Sequence, residues 1–215
     1  MDYLEQLIER YPPLTGNKDA MRNAYHQLAE TFESGGKLLV AGNGGSAADS
    51  DHIVGELMKG FVKKRPLGDD FIIKLRSIDP EHAEYIGRNL QQALPAIALS
   101  AHTALTTACI NDIDAHIIYA QQVYGYGEAG DTFLGISTSG NAKNILYAMI
   151  TAKAKNMKTI ALTGGTGGTL AKIADTAIIV PESETYKIQE LHLPIYHALC
   201  LMLEEYFFQA ARGDV

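Results

Sequence analysis

Leu38-Leu39-Val40-Ala41-Gly42-Asn43-Gly44-Gly45-Ser46 is the stretch on which the fold turns. Four apolar residues without alternation read as a strand covered on both faces, and the glycines after them as a tight turn into a helix from about Ala47. Outward from this unit the pattern recurs. Apolar runs at 96–99, 132–136, 159–162 and 177–180 are separated by helical or glycine-rich sequence. That alternation builds βαβ units and a parallel sheet. The expected class is α/β, a three-layer Rossmann-like sandwich around five parallel strands. Residues 1–35 precede it as a helical segment: Leu4, Leu7, Ile8 and Tyr11 stand at helical spacing before Pro12-Pro13, and Met21, Tyr25, Leu28 and Phe32 form a second helix ended by Gly35-Gly36. From Tyr186 a long helix closes the chain, striped by Ile195, Leu199, Met202, Leu203 and Tyr206 and widened by Leu201, Phe207 and Phe208. So broad an apolar surface predicts a subunit contact in preference to burial on its own sheet alone.

With 215 residues, 47% apolar and 20% charged, the chain reads as one globular domain over 1–215. The interval 66–95 interrupts the alternation. It is polar except for a short apolar piece at 71–73, and a helix is announced by Asp79 as N-cap with Pro80 at its first position. It reads as an insertion before the second strand. Cys109 and Cys200 are far apart and form no CxxC pair, so neither a disulfide framework nor a thiolate zinc site is available, which suits a reducing cytoplasm. A net charge of −7, with no basic stretch beyond Lys63-Lys64-Arg65, argues against nucleic-acid binding. No leader precedes Tyr11 and no apolar run approaches the ~18 residues of a membrane span, so the expectation is a cytoplasmic protein with no membrane contact.

Two loops predict a phosphate site. After the first strand, Gly42-Asn43-Gly44-Gly45-Ser46 lets backbone N–H groups approach an anion at a helix N-terminus. After the third, Ser137-Thr138-Ser139-Gly140-Asn141 opens a helix whose apolar face is Ile145, Ala148, Met149 and Ala152, with more hydroxyls than one N-cap needs. Both lie where ligands bind in open α/β sheets, outside the carboxyl ends of strands, so they would grip one small molecule from two sides. A dinucleotide is discounted, because the first loop matches GxGxxG imperfectly and Ser100 and His102 stand where an acidic ribose contact belongs. A third cluster, Gly164-Gly165-Thr166-Gly167-Gly168, carries no reactive side chain and reads as turn structure.

His52 and Glu56, at i and i+4 on the helix after the first loop, share one face; Gln189 and His197 lie eight residues apart far downstream. Singly, each has a bland explanation as a surface pair or a satisfied core histidine. Together with Ala41-Gly42-Asn43-Gly44-Gly45-Ser46-Ala47-Ala48-Asp49, Asn111-Asp112, Gly135-Ile136-Ser137-Thr138-Ser139-Gly140-Asn141, Ala161-Leu162-Thr163-Gly164 and Ile188-Gln189-Glu190, they resemble the signature of the SIS (sugar isomerase) domain in its phosphoheptose isomerase branch, from about Gly36 onward. That resemblance implies an aldose–ketose isomerase acting on sedoheptulose 7-phosphate, in the heptose route to bacterial cell-surface sugars. It implies one zinc per subunit on His52, Glu56, Gln189 and His197, with Glu56 and His197 moving the protons. It implies substrate contacts from Asn43, Gly44, Gly45, Ser46, Glu56, Asn111, Asp112, Ser137, Thr138, Ser139 and Gln189. It also implies a homo-oligomer, a tetramer, with active sites at subunit contacts. The chemistry suits these residues: a carboxylate and an imidazole can each supply ~10²- to 10⁴-fold by proton transfer, and zinc polarises a carbonyl.

Eight helical residues rise about 12 Å, so Gln189 and His197 reach one ion only if Pro194 breaks the helix or one of them comes from a neighbouring subunit. The sequence departs from the branch at Ala142, where a serine is usual, so that either Lys143 compensates or the phosphate sits differently, and in the 66–95 interval. The competing expectation is a non-catalytic SIS protein, either a phosphosugar sensor or a relative of the DnaA initiator-associating factor, whose pattern lacks the histidine found here at 197.

Overall fold

The computed structural model describes residues 2–208. Five parallel strands, β1 (Leu38–Ala41), β2 (Ala96–Ala98), β3 (Thr132–Ser137), β4 (Lys158–Gly164) and β5 (Thr176–Val180), form one sheet in the order β2-β1-β3-β4-β5. Every residue of β1 and β3 is buried, which is why these runs are apolar without alternation. Ten α-helices are described: α1 (Tyr3–Arg10), α2 (Lys18–Glu33), α3 (Gly45–Met58), α4 (Asp69–Ile78), α5 (Pro80–Asn89), α6 (Thr103–Asp112), α7 (Ile118–Tyr126), α8 (Lys143–Ala154), α9 (Gly168–Ile173) and α10 (Thr185–Phe207). Alternate strand residues supply two cores. Leu38, Val40, Leu134, Ile136 and Ile160 pack under α1, α2, α3 and α10. Leu39, Ala41, Phe133 and Ala161 pack under α7, α8 and α9. The expected three-layer α/β architecture is the observed one.

Winding reverses between β1 and β3: β1 leads outward to β2, whereas β3 leads the other way to β4 and β5. Helices α3 and α8, leaving these two adjacent strands, therefore cover opposite faces and diverge. A crevice opens there, outside the carboxyl ends of the strands, the usual ligand position in such sheets.

The 66–95 interval folds as α4 and α5, packed on each other and closed at the base by a Pro66–Gln91 bridge and the Gln92 N–H on the Arg65 carbonyl at 2.8 Å. Asp79 caps α5 through the amides of Glu81 and His82, with Pro80 in the first turn, as its sequence predicts. The apolar piece at 71–73 belongs to α4, none of whose residues is buried.

Helix α10 runs unbroken through Pro194, so no second helix starts between Gln189 and His197. Ile195, Leu199 and Leu203 are buried and Met202 is partly so, whereas Tyr206 is exposed and donates to Glu33. The stripe packs against α1, α2 and α3 of its own chain. Helices α1 and α2 thus cover part of the surface for which the sequence predicts a subunit contact. Among the described residues no helix is long and apolar enough to cross a membrane.

Within α10, His192 is buried, its Nε2–H donating to the Thr163 carbonyl at 3.2 Å. Burial holds its pKa down at about 4, the Thr163 carbonyl opposing only in part. Between its unfolded value, 6.5, and about 4, the unfolded chain takes up a proton that the folded chain refuses. Stability therefore falls on acidification through that window, by up to about 3 kcal/mol. A His192→Gln variant, which retains a donor for Thr163, is expected to lose less on going from pH 7 to 4.5 in urea unfolding. Equal losses in the two proteins would contradict this.

Candidate active site

The crevice is lined from both sides. A cavity of about 400 Å³ is bounded by Asn43, Gly44, Gly45 and Ser46 on the β1 side, Ser137, Thr138, Ser139 and Ala142 on the β3 side, and Thr185 and Gln189 of α10. Glycine is required where the walls meet: a Cβ on Gly45 would lie 2.6 Å from Gln189 Nε2. Helix α3 starts at Gly45, two residues before the sequence suggests, because Gly44 takes φ +56° and turns the chain at once into the helix. The third glycine cluster is turn structure, as read, and it buttresses the serine loop. Gly164 N–H bonds the Thr138 carbonyl at 3.1 Å, Leu170 N–H bonds the Gly140 carbonyl at 3.0 Å, and a Cβ on Gly140 would lie 2.0 Å from the Gly167 carbonyl oxygen. Lys143 is exposed and does not line the cavity, whereas Thr185 does.

His52, Glu56 and His197 meet within one chain, through the packing of α3 on α10. His52 Nε2 lies 3.2 Å from Glu56 Oε1, and the rings of His52 and His197 stand edge to face with centroids 4.9 Å apart. Asp49 and Tyr196, to which the sequence reading gave no role, orient His52. Tyr196 OH donates to Asp49 Oδ1 at 3.2 Å and faces His52 Nδ1 at 3.0 Å. With its single proton on Asp49, the phenol accepts from His52 Nδ1–H, leaving the Nε2 lone pair turned toward Glu56. In that tautomer two acceptors face each other at 3.2 Å, a pairing that a cation between them would relieve. Nε2 of His197 is buried and has no hydrogen-bond partner among the described residues. Burial, and next the charge of His52, lower the pKa of His197, Glu56 opposing. The imidazole is thus held in its neutral form.

This donor set fits a borderline cation such as zinc in its chemistry, two imidazoles and a carboxylate. The match is one of donor types: among the described residues, no three His, Cys, Asp or Glu side chains stand in a metal-holding arrangement. Gln189 lines the cavity beside Gly45, about 12 Å along the helix axis from His197. Asn111 and Asp112 lie at the end of α6, exposed, Asn111 Nδ2 donating to Asp112 Oδ1 at 2.7 Å, and do not line the cavity. His197 also floors a second cleft, of about 230 Å³, between α1 and α10, with Tyr3, Arg10 and Tyr11 on its rim.

A buried ion pair fixes α3 relative to α10. Glu204 accepts from Arg65 Nε at 2.9 Å and from the amides of Phe61, Val62 and Lys63 at 2.8, 2.9 and 3.1 Å. Arg65 in turn bonds the carbonyls of Leu57 at 2.7 Å and Glu56 at 3.0 Å. Burial would raise the Glu204 pKa, but the amides and Arg65 outweigh it and hold it low.

This geometry has close relatives. The SIS domain family model matches residues 2–92 and 82–164. The phosphoheptose isomerase of Nitratiruptor sp. is 40% identical over 178 residues, 83% of this chain and 81% of that protein. That of Helicobacter pylori is 36% identical over 194 residues, 90% of this chain and 88% of the relative. The solved phosphoheptose isomerase from Francisella tularensis superposes with a TM-score of 0.75 at 32% identity, covering 94% of this chain and 95% of that one. The Neisseria gonorrhoeae phosphoheptose isomerase gives 0.70 at 30%, covering 93% and 91%. The chain belongs to the SIS domain family, in its phosphoheptose isomerase branch.

Proposed function

We propose that this chain is a phosphosugar aldose–ketose isomerase that interconverts sedoheptulose 7-phosphate and glycero-manno-heptose 7-phosphate. The observation that carries the reading is that α3 and α10 each join the phosphate cradle to the reactive cluster. Gly45 and Gln189 stand at the cradle, His52 and His197 at the cluster, seven and eight residues further on and so about 10–12 Å away. A phosphate held at the crevice thereby puts the far, carbonyl end of an extended sugar at Glu56 and His197.

The backbone amides and hydroxyls of the two loops hold the phosphate. In the ketose-to-aldose direction, the Glu56 carboxylate takes a proton from C1 and the electron pair forms the enediolate. The same proton is then returned to C2, while the neutral His197 imidazole carries the hydroxyl proton between the two oxygens. Asp49 and Tyr196 keep His52 in one tautomer. His52, Glu56 and His197 would hold a zinc ion, which when bound polarises the substrate carbonyl; Gln189, which the branch resemblance adds to the set, stands about 12 Å along the unbroken α10 from His197 and would join it only from a neighbouring subunit. The protein acts in the cytoplasm as a homo-oligomer, a tetramer by that resemblance. Asn111 and Asp112, exposed on α6, then serve a substrate held across a subunit contact.

Purified protein incubated with sedoheptulose 7-phosphate is expected to form the aldose, to lose that activity on chelation and to regain it with Zn²⁺. Phosphosugar binding without isomerisation of any ketose phosphate tried would overturn the reading in favour of a non-catalytic phosphosugar-binding module.

A further inference from the structure

We propose that Asn144 is a positioning residue that clamps the two walls of the crevice together by holding Asn43 in a single amide orientation. Its consequence for catalysis rests on the isomerase reading; the clamp itself does not. Because α3 and α8 leave adjacent strands toward opposite faces, the β1–β3 ladder ends at the Ala41–Gly135 pair and does not continue across the crevice. The Asn43–Asn144 pair bridges that gap. Asn43 Nδ2 donates to Asn144 Oδ1 at 2.9 Å, and Asn144 Nδ2 donates back to Asn43 Oδ1 at 2.9 Å, across 101 residues of sequence.

The orientation of the pair is set from one side. Asn144 Oδ1 also accepts the Ile145 N–H at 3.0 Å, in the first turn of α8, where Ala142 as N-cap supplies no side-chain bond. The acceptor end of Asn144 is therefore tied to its own helix, and Asn43 must meet it with its NH₂ group. An asparagine side chain has two N–H donors and two acceptor lone pairs. The clamp uses one of each on Asn43. One N–H and one lone pair remain for a ligand, at fixed positions beside Gly44 and Gly45 in the cavity wall. Without Asn144 the amide can rotate, and the two loops are free to separate.

The test is a double-mutant cycle on the full-length protein, reading the Kd for sedoheptulose 7-phosphate by calorimetry, together with kcat and KM. Asn144→Ala is expected to weaken binding about tenfold, the scale of a lost hydrogen-bonded pair, with a parallel rise in KM and kcat within about threefold. Asn43→Ala should weaken binding at least as much, and the double variant no more than Asn43→Ala alone, because Asn144 acts only through Asn43. Thermal midpoints unchanged in all three exclude unfolding as the cause. Binding by Asn144→Ala equal to that of the parent, or losses that multiply in the double variant, would overturn the clamp. If the parent binds the sugar phosphate without turnover, the isomerase reading fails and the Kd cycle still decides the clamp. If the parent turns over and Asn144→Ala is indistinguishable from it, the clamp fails and the isomerase reading stands.

Discussion

Glu56→Gln is expected to lower kcat on sedoheptulose 7-phosphate by about 10²- to 10⁴-fold, the range supplied by a positioned general base. The amide preserves the shape of the side chain but cannot take a proton from carbon. Glu56 is positioned by local structure: it lies one turn after His52 on α3, and its backbone carbonyl is held by Arg65 NH2 at 3.0 Å. None of these supports depends on the carboxylate charge, so the variant should remain folded and still bind the sugar phosphate through the cradle. Steady-state kinetics with a binding control checks this. A kcat within threefold of the parent would remove Glu56 from the proton transfer.

Glu204→Ala is expected to cost about 3–5 kcal/mol of folding free energy, the penalty for removing one partner of a buried ion pair. The side chains of Arg65 and Glu204 are 0% and 1% exposed, so the stranded guanidinium has no access to water. The substitution also leaves the amides of Phe61, Val62 and Lys63 without their acceptor. For a chain of this size the thermal midpoint should fall by roughly 6–20 °C. A double replacement by apolar residues of similar volume, Arg65→Met with Glu204→Leu, should recover part of the loss, since it buries no lone charge. Urea unfolding of the two variants and the parent measures both effects. A loss below 1 kcal/mol in Glu204→Ala would show that the pair does not hold the α3–α10 contact.

Much of this molecule is legible in its sequence because its signals are local. Continuous apolar runs mark strands covered on both faces, Asp79-Pro80 marks a helix start, and the glycine and serine loops fall at the carboxyl ends of β1 and β3. The geometry of the crevice follows from the strand order β2-β1-β3-β4-β5, which the alternation of elements leaves open. What could not be read depends on partners far apart in the chain. Asn43 and Asn144 are separated by 101 positions, Arg65 and Glu204 by 139, and Asp49 and Tyr196 by 147. A trace existed for one of them: Glu204 directly follows Leu203 on a face otherwise apolar, where a charge must find a buried counterpart. Helix α4 was read only as a short apolar piece because its apolar residues are not buried, so no core periodicity shaped that stretch. The spacing of Gln189 and His197 correctly warned that one straight helix separates them. The outcome is that Gln189 sits at the cradle and His197 at the cluster, with Pro194 accommodated inside α10.

The most direct test of proton transfer at Glu56 and His197 is incubation with sedoheptulose 7-phosphate in D₂O, followed by NMR. The account predicts an aldose product carrying solvent deuterium at C2, through partial exchange of the proton held on the enzyme, and uptake slowed about 10²- to 10⁴-fold with Glu56→Gln. Contradiction would be an unlabelled substrate and no aldose from the metal-replete parent protein, or deuterium uptake undiminished in Glu56→Gln.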